Sequence, residues 1–227
     1  MKNVLARGGI EFLAVLLGIS GSLWLDDRST FTQERKYEVE AYQRLSNALS
    51  VDMQGLKEDA EKNDRMIYVL GLMINRMNTI SNDSLLHYID ITQSYTDMET
   101  HVSDYETLKN TGRLYSISNM DMLQRVIDMY DKKYGEISDW KAEDKRAIFM
   151  QDEFFIKNYA MQPADSWTTL RDIKKDRQRL VNDDTYRNYL IFLYQVKNRM
   201  NAEWNKLIIN IESLNKDILV QVRELED

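Results

Sequence analysis

The chain holds two histidines, His87 in His87-Tyr88-Ile89-Asp90 and His101 in His101-Val102-Ser103-Asp104, and each is followed three residues later by a carboxylate. A carboxylate one helical turn from an imidazole can orient it or join it on a metal ion. On one continuous helix the two imidazoles would lie roughly 21 Å apart, too far to share an ion. With no cysteine in the chain, thiol catalysis, disulfides and thiolate metal sites are excluded. Serine nucleophile elbows, phosphate-cradling glycine loops and the His-Glu helical zinc motif are absent. The carboxylate pairs Asp26-Asp27 and Asp183-Asp184 fall at predicted helix starts, where dipole and capping needs account for them. No catalytic, cofactor-binding or metal-ligating residue is assigned, and no cofactor. An enzyme would need carboxylates from several helices to converge on a metal. The 13 Tyr and 12 Met could line an adaptable apolar pocket, although helix packing explains them as well.

A second constellation lies near the N-terminus. From Phe12 to Leu25 there is no charge, and counting back to Gly8 gives 18 residues interrupted only by Glu11. That approaches the ~20 residues that cross a hydrocarbon core, with Trp24 at an interfacial position. The reading is a tail and transmembrane helix over residues 1–25. A cleaved signal peptide competes, because Lys2 and Arg7, the apolar run and the small residues Ser20, Gly21 and Ser22 resemble its three regions. Retention is favoured, since Glu11 breaks the run and helical periodicity resumes after Asp26. Basic residues nearly balance across the span, but a short basic tail stays inside while a long domain can be exported. The expectation is a single-pass protein of a bacterial inner membrane with its C-terminal domain in the periplasm.

Glu11, Ala14, Gly18 and Ser22 recur at helical spacing within this span. Small residues at four-residue spacing let helix backbones approach, and a carboxyl near lipid seeks a partner or a proton. Snorkelling of Glu11 to the interface remains open beside partner contact. This face implies a second copy or another membrane-protein subunit as partner, besides the membrane itself. Nucleic acid is not expected: the net charge is −7, and the 30 Lys and Arg mostly alternate with acids.

The elements that must carry these residues are helices. A chain 43% hydrophobic and 30% charged, with 8 Gly and 1 Pro, is too apolar for disorder and too poor in breakers for a loop-rich β fold. Leu45, Leu49, Leu56, Met66, Leu70, Met73, Met77 and Ile80 follow three-four spacing, interrupted by Asp52, Asp59 and Asn63. A cleaner seam runs through Leu190, Leu193, Lys197, Met200, Trp204, Leu207, Ile211, Leu214, Ile218, Gln221 and Leu225, started by Asp183, Asp184 and Thr185. The expected fold is all-α: the membrane helix continues into a stalk helix over 26–80, which pairs antiparallel with a C-terminal helix over 183–227. Residues 81–182 are expected to form a distal head of shorter helices. Ser81 to Ser84 supply a turn and cap, and Ser103-Asp104-Tyr105-Glu106 reads as a capping box with Gly112 closing its helix. Ser118 or Asn119 should cap a helix ending near Gly135. Another should run from Ser138 to Met161, with Trp140, Ile148, Phe155 and Tyr159 inward and Pro163 as its stop.

Gly9-Ile10-Glu11-Phe12 with Gly18-Ile19, the stretch Tyr105-Glu106-Thr107-Leu108-Lys109-Asn110-Thr111-Gly112, and Ile117-Ser118-Asn119 resemble, as a set, a family of uncharacterised single-pass bacterial membrane proteins of Bacteroidota type. These carry a helical domain of unknown function. The resemblance extends over nearly the whole chain, through Asn182 to Leu190, and departs at Leu23-Trp24-Leu25-Asp26-Asp27, where a Gln- and Asn-rich exit is usual. It implies an anchor plus a helical domain and no activity. The functional expectation is a membrane-anchored helical scaffold or interaction protein, a subunit of an envelope assembly. The alternative is a ligand-sensing extracytoplasmic bundle acting through a partner chain.

Overall fold

The computed structural model describes residues 2–96, 100–163 and 168–226, with side chains from Val15 onward except Asp27 and Thr168. Helix α1 spans Lys2–Arg76, about 110 Å at 1.5 Å per residue. It carries no proline, and i,i+4 pairs such as Arg44 with Glu40 support its outer face. Its inner stripe buries Tyr42, Leu45, Leu49, Leu56, Met66, Leu70 and Met73. A single 3-10 turn at Met77–Thr79 ends it, and Ser81 caps α2 (Asn82–Thr92) by accepting from the Ser84 backbone N–H at 3.2 Å.

The chain then runs back along α1. α2 buries Leu85 and Ile89 at the far end, and the linker reaches Asp52 at His101. Helix α3 (Ser103–Asn110) and a 3-10 turn at Arg113–Ser116 complete the descent. Glu38 near the start of the bundle accepts from the Ser118 backbone N–H at 2.7 Å and its hydroxyl at 2.9 Å. A third leg ascends as α4 (Met120–Asp128), a π turn (Met129–Lys133) and α5 (Tyr134–Asn158). A small antiparallel hairpin follows, β1 (Met161–Pro163) with β2 (Thr168–Leu170), then α6 (Ile173–Val181). Helix α7 (Asp184–Glu226) descends the full length. Ser46 on Asn215, Lys57 on Glu212 and Asn63 on the Lys197 carbonyl show α1 and α7 antiparallel, with Leu45 near the Leu214 end.

The result is an all-α, up-down-up-down bundle whose second leg is broken. Its core divides into two apolar clusters. One holds Tyr42 to Ala60 with Tyr105 to Ile137 and Met200 to Val222; the other holds Val69 to Met77 with Leu85, Ile89, Ala147 to Tyr159 and Leu170 to Val196.

Several expectations are corrected. Residues 81–182 do not gather in a distal head, because α3 and α4 bury Tyr105, Leu108, Met122 and Val126 beside the lower half of α1. Gly135 does not end a helix, and no helix begins at Ser138. The third leg continues through both, since burial of Tyr134 and Ile137 outweighs the ~1 kcal/mol that an interior glycine costs. That leg ends at Asn158, five residues before Pro163, and Trp140 is only partly buried beside Ile148, Phe155 and Tyr159. The capping box at Ser103 does not form. Val102 is already helical in φ and ψ, and its carbonyl accepts from Glu106, so Ser103 sits one position too far in. Asn119 does cap α4, accepting from the Met122 backbone N–H at 3.1 Å. Gly112 closes α3 with φ 74°, in the left-handed region that a Cβ disfavours. Gly112→Ala meets no neighbouring atom, so its expected cost is the backbone strain alone, about 1 kcal/mol, read as a lower denaturant midpoint.

Among the described residues no helix is long and apolar enough to cross a membrane. Residues 8–14 of the expected span lie outside the described side chains, and the transmembrane assignment finds no support in the fold itself.

Candidate functional site: an apolar extension below a bundle with polar levels

The bundle starts near Arg35, whose guanidinium donates to the Leu225 carbonyl close to the chain's C-terminal end. Below that point α1 continues alone. Val15, Leu16, Leu17, Ile19, Leu23, Trp24 and Leu25 are each 47–69% exposed, so none of the described residues covers them. Burying a side chain of this size fully is worth about 1.5–3 kcal/mol, and seven of them at somewhat over half exposure leave roughly 6–12 kcal/mol unrealised in water. Ser22 donates to the Ile19 carbonyl at 2.9 Å, which satisfies its hydroxyl within the helix. A Cβ placed on Gly18 or Gly21 would meet nothing within 4 Å. Arg28 lies over the Trp24 ring at 5.4 Å, a cation–aromatic pair at the end of the apolar run. Of the expected contact face, Gly18 and Ser22 are exposed on this extension; the side chains of Glu11 and Ala14 lie outside the described residues.

The polar groups that the seams interrupt are not scattered. Asp52, buried on α1, accepts from the His101 backbone N–H at 2.8 Å and from the Tyr134 hydroxyl at 2.6 Å, and pairs with His101 Nδ1 at 2.7 Å. The Tyr105 and Tyr130 rings stack with centroids 4.5 Å apart, and Tyr130 meets Tyr134 edge-on at 5.1 Å. Tyr105 donates to Asp131, which Lys109 also grips at 2.8 Å and holds below the usual carboxylate range. One level further out, Lys197 on α7 is fully buried and meets buried Asp144 on α5 at 2.8 Å. Asn63 on α1 donates to the Lys197 carbonyl at 2.9 Å. Burial pushes the Asp144 carboxyl up and the Lys197 amine down, and each partner opposes the shift of the other.

The structure therefore places the two histidines apart, His87 exposed on α2 and His101 in the linker, and gives His101 the distant Asp52 in place of nearby Asp104. An imidazole oriented by a buried carboxylate can serve a nucleophile or a metal. Among the described residues no group of three or more His, Asp or Glu side chains is arranged to hold a metal ion. The Asp52–His101–Tyr134 cluster fastens the broken second leg and the third leg to α1. Asp144 was missed by the sequence reading, although it lies four residues from both Trp140 and Ile148 and so on the same inward stripe.

Fold and extension together define an all-α bundle with a broken second leg and an unpartnered apolar helical arm. No family model, no curated protein and no solved structure matches the chain.

Proposed function

We propose that the chain is a membrane-anchored helical scaffold or interaction protein, a subunit of an envelope assembly, in which the arm of α1 crosses a bacterial inner membrane once and presents the bundle on the periplasmic side. The reading is carried by the arm: a continuous helix leaves the bundle with large apolar side chains exposed and no other described residue to bury them. A bilayer supplies that burial. The architecture is also what the resemblance to single-pass Bacteroidota-type proteins implies.

Within the membrane, association rests on the face formed by Glu11, Ala14, Gly18 and Ser22, because lipid removes the hydrophobic drive between helices and leaves close packing and polar pairing. Gly18→Leu should lower co-purification of a second copy or partner subunit by about tenfold, the equivalent of roughly 1.4 kcal/mol, while Val15→Leu leaves it unchanged. Native mass spectrometry in mild detergent checks this. A strictly monomeric parent with no co-purifying chain contradicts the assembly reading. Glu11→Gln separates a charged pairing, which it breaks, from a protonated hydrogen bond, which survives.

A second reading, a ligand-sensing bundle that acts through a partner chain, is favoured by a cleft of about 470 Å³ between α2 and α5. Tyr95, Phe149 and Ile148 line it with Lys145 and Asp152, and the Lys145 amine lies 5.1 Å from the Tyr95 ring. A thermal-shift screen with metabolites and ions that raises the melting temperature, and loses the effect in Phe149→Ala, would favour it over the scaffold.

A further inference from the structure

Three large apolar side chains stand exposed at the end of the bundle from which the arm leaves. Phe31 on α1 is 65% exposed, Tyr115 in the 3-10 turn 63%, and Met120 at the start of α4 68%. Phe31 and Ser116 of the turn line a common cleft of about 260 Å³ with Leu225 and the charged Glu34, Arg35, Glu38 and Glu224, and Tyr115 and Met120 stand outside it. The turn is held rigidly there. Ser118 is fastened to Glu38, Asn119 donates to Gln221 at 3.1 Å, and Arg113 stacks over Tyr37 at 4.9 Å. With the backbone already fixed, burial of these side chains costs only their rotamer freedom.

We propose that this base of the bundle, Phe31 with Tyr115 and Met120, rests in the headgroup layer of the bilayer that holds the arm, so that the bundle leans on the membrane surface. The proposal builds on the anchor reading above. Phe31 lies six residues beyond Leu25, about 9 Å along the helix axis. The interfacial layer on each side of the hydrocarbon core is roughly 5–8 Å thick, so the Phe31 backbone lies just above it with α1 upright, and its side chain, which leans back toward the helix N-terminus, reaches it. The 3-10 turn sits at the level of Glu38, about 20 Å along the axis from Leu25, on an element packed beside α1. A tilt toward that side of about 40°, the upper end of the observed range, lowers an element ~10–15 Å from the α1 axis to roughly 6–9 Å above the hydrocarbon edge, the level at which Tyr115 and Met120 meet the same layer. Aromatic and long flexible apolar side chains beside Arg28 and Arg113 suit an environment that is wet at one end and greasy at the other. A bilayer is the occupant because the arm already brings one to this end of the molecule.

The absence of cysteine allows the test on the full chain. Single variants Leu17→Cys, Tyr115→Cys, Met120→Cys and Tyr68→Cys each carry one fluorophore and are reconstituted in phosphatidylcholine vesicles containing lipid quenchers at the headgroup or at mid-chain. The expected result is quenching at Tyr115 and Met120 by the headgroup quencher at least about twofold stronger than at Tyr68, which lies over 60 Å along α1 from Leu25, with Leu17 answering to the mid-chain quencher. If Leu17 is quenched at mid-chain while Tyr115 and Met120 match Tyr68, the leaning bundle is overturned and the anchor stands. If Leu17 also matches Tyr68, the anchor reading fails and takes this proposal with it. Energy transfer between Met120 labels on two copies, without headgroup quenching, assigns the patch to a second copy and also overturns it.

Discussion

Above pH 10 the bundle is expected to unfold within one to two pH units. Tyr42, Tyr130, Tyr134, Tyr159 and Tyr186 are all buried, and burial is the main cause that pushes each hydroxyl above its usual value, to about 12 for Tyr159 and further for the other four. Neighbouring acids add to the effect, Glu38 at Tyr42 and Asp52 at Tyr130 and Tyr134. In the unfolded chain these phenols ionise near 10. Between that value and the folded one the native state holds more protons, so their contribution is complete below pH 10 and is lost as pH rises. Five such groups give a slope of roughly 7 kcal/mol per pH unit once the unfolded phenols are ionised, against a total stability of about 5–15 kcal/mol. Lys197 acts in the opposite direction, because its amine is held below the usual value, but it is a single group. Tyrosinate absorbance and helicity recorded together should show at least five of the 13 tyrosines remaining protonated until the helices melt. Complete tyrosine titration near pH 10 with helicity intact would refute the burial of these hydroxyls.

The next largest effect is expected at the Asp144–Lys197 pair. Both side chains are essentially shut off from solvent, at 1% and 0% exposure, so removal of either leaves a charge or an unpaired polar group in the core. Asp144→Ala and Lys197→Met should each cost about 3–5 kcal/mol in denaturant unfolding. The double variant Asp144→Leu with Lys197→Met should recover most of that loss, because a packed apolar pair needs no compensation for desolvation. The pair then acts chiefly on register: sliding α7 by one heptad against α5 would separate the two charges. Single variants that each cost under about 1 kcal/mol would contradict the pairing.

How far the fold could be read from residues depended on how many of them voted together. The seams from Leu45 to Met77 and from Leu190 to Leu225 repeat over many turns, and the antiparallel pairing of α1 with α7 follows from them. Gly135 and Ser103 are single local signals, and each lost to packing of the neighbouring side chains. The hairpin from Met161 to Leu170 has only three residues per strand, too short for a period of two to show. Of the polar levels, Asp52 and Lys197 were visible as interruptions of apolar seams, yet their partners come from other legs. Asp144 could have been found, because an acid on one inward stripe and a lysine on another is a pattern that burial allows only if they meet. His101 could not, since the linker that delivers it to Asp52 has no periodicity.

The arm of α1 carries the functional account, and retention in the membrane tests it most directly. The full chain and a variant lacking residues 2–25 are expressed in bacteria, and their membranes are washed with alkaline carbonate just below pH 10 or with urea below the unfolding midpoint. The full chain should remain with the lipid and float with it on a density gradient, while the shortened chain should be released with its bundle folded and with only the helicity of residues 2–25 lost. A full chain recovered in the supernatant, folded and free of lipid, would contradict the anchor and with it the scaffold reading.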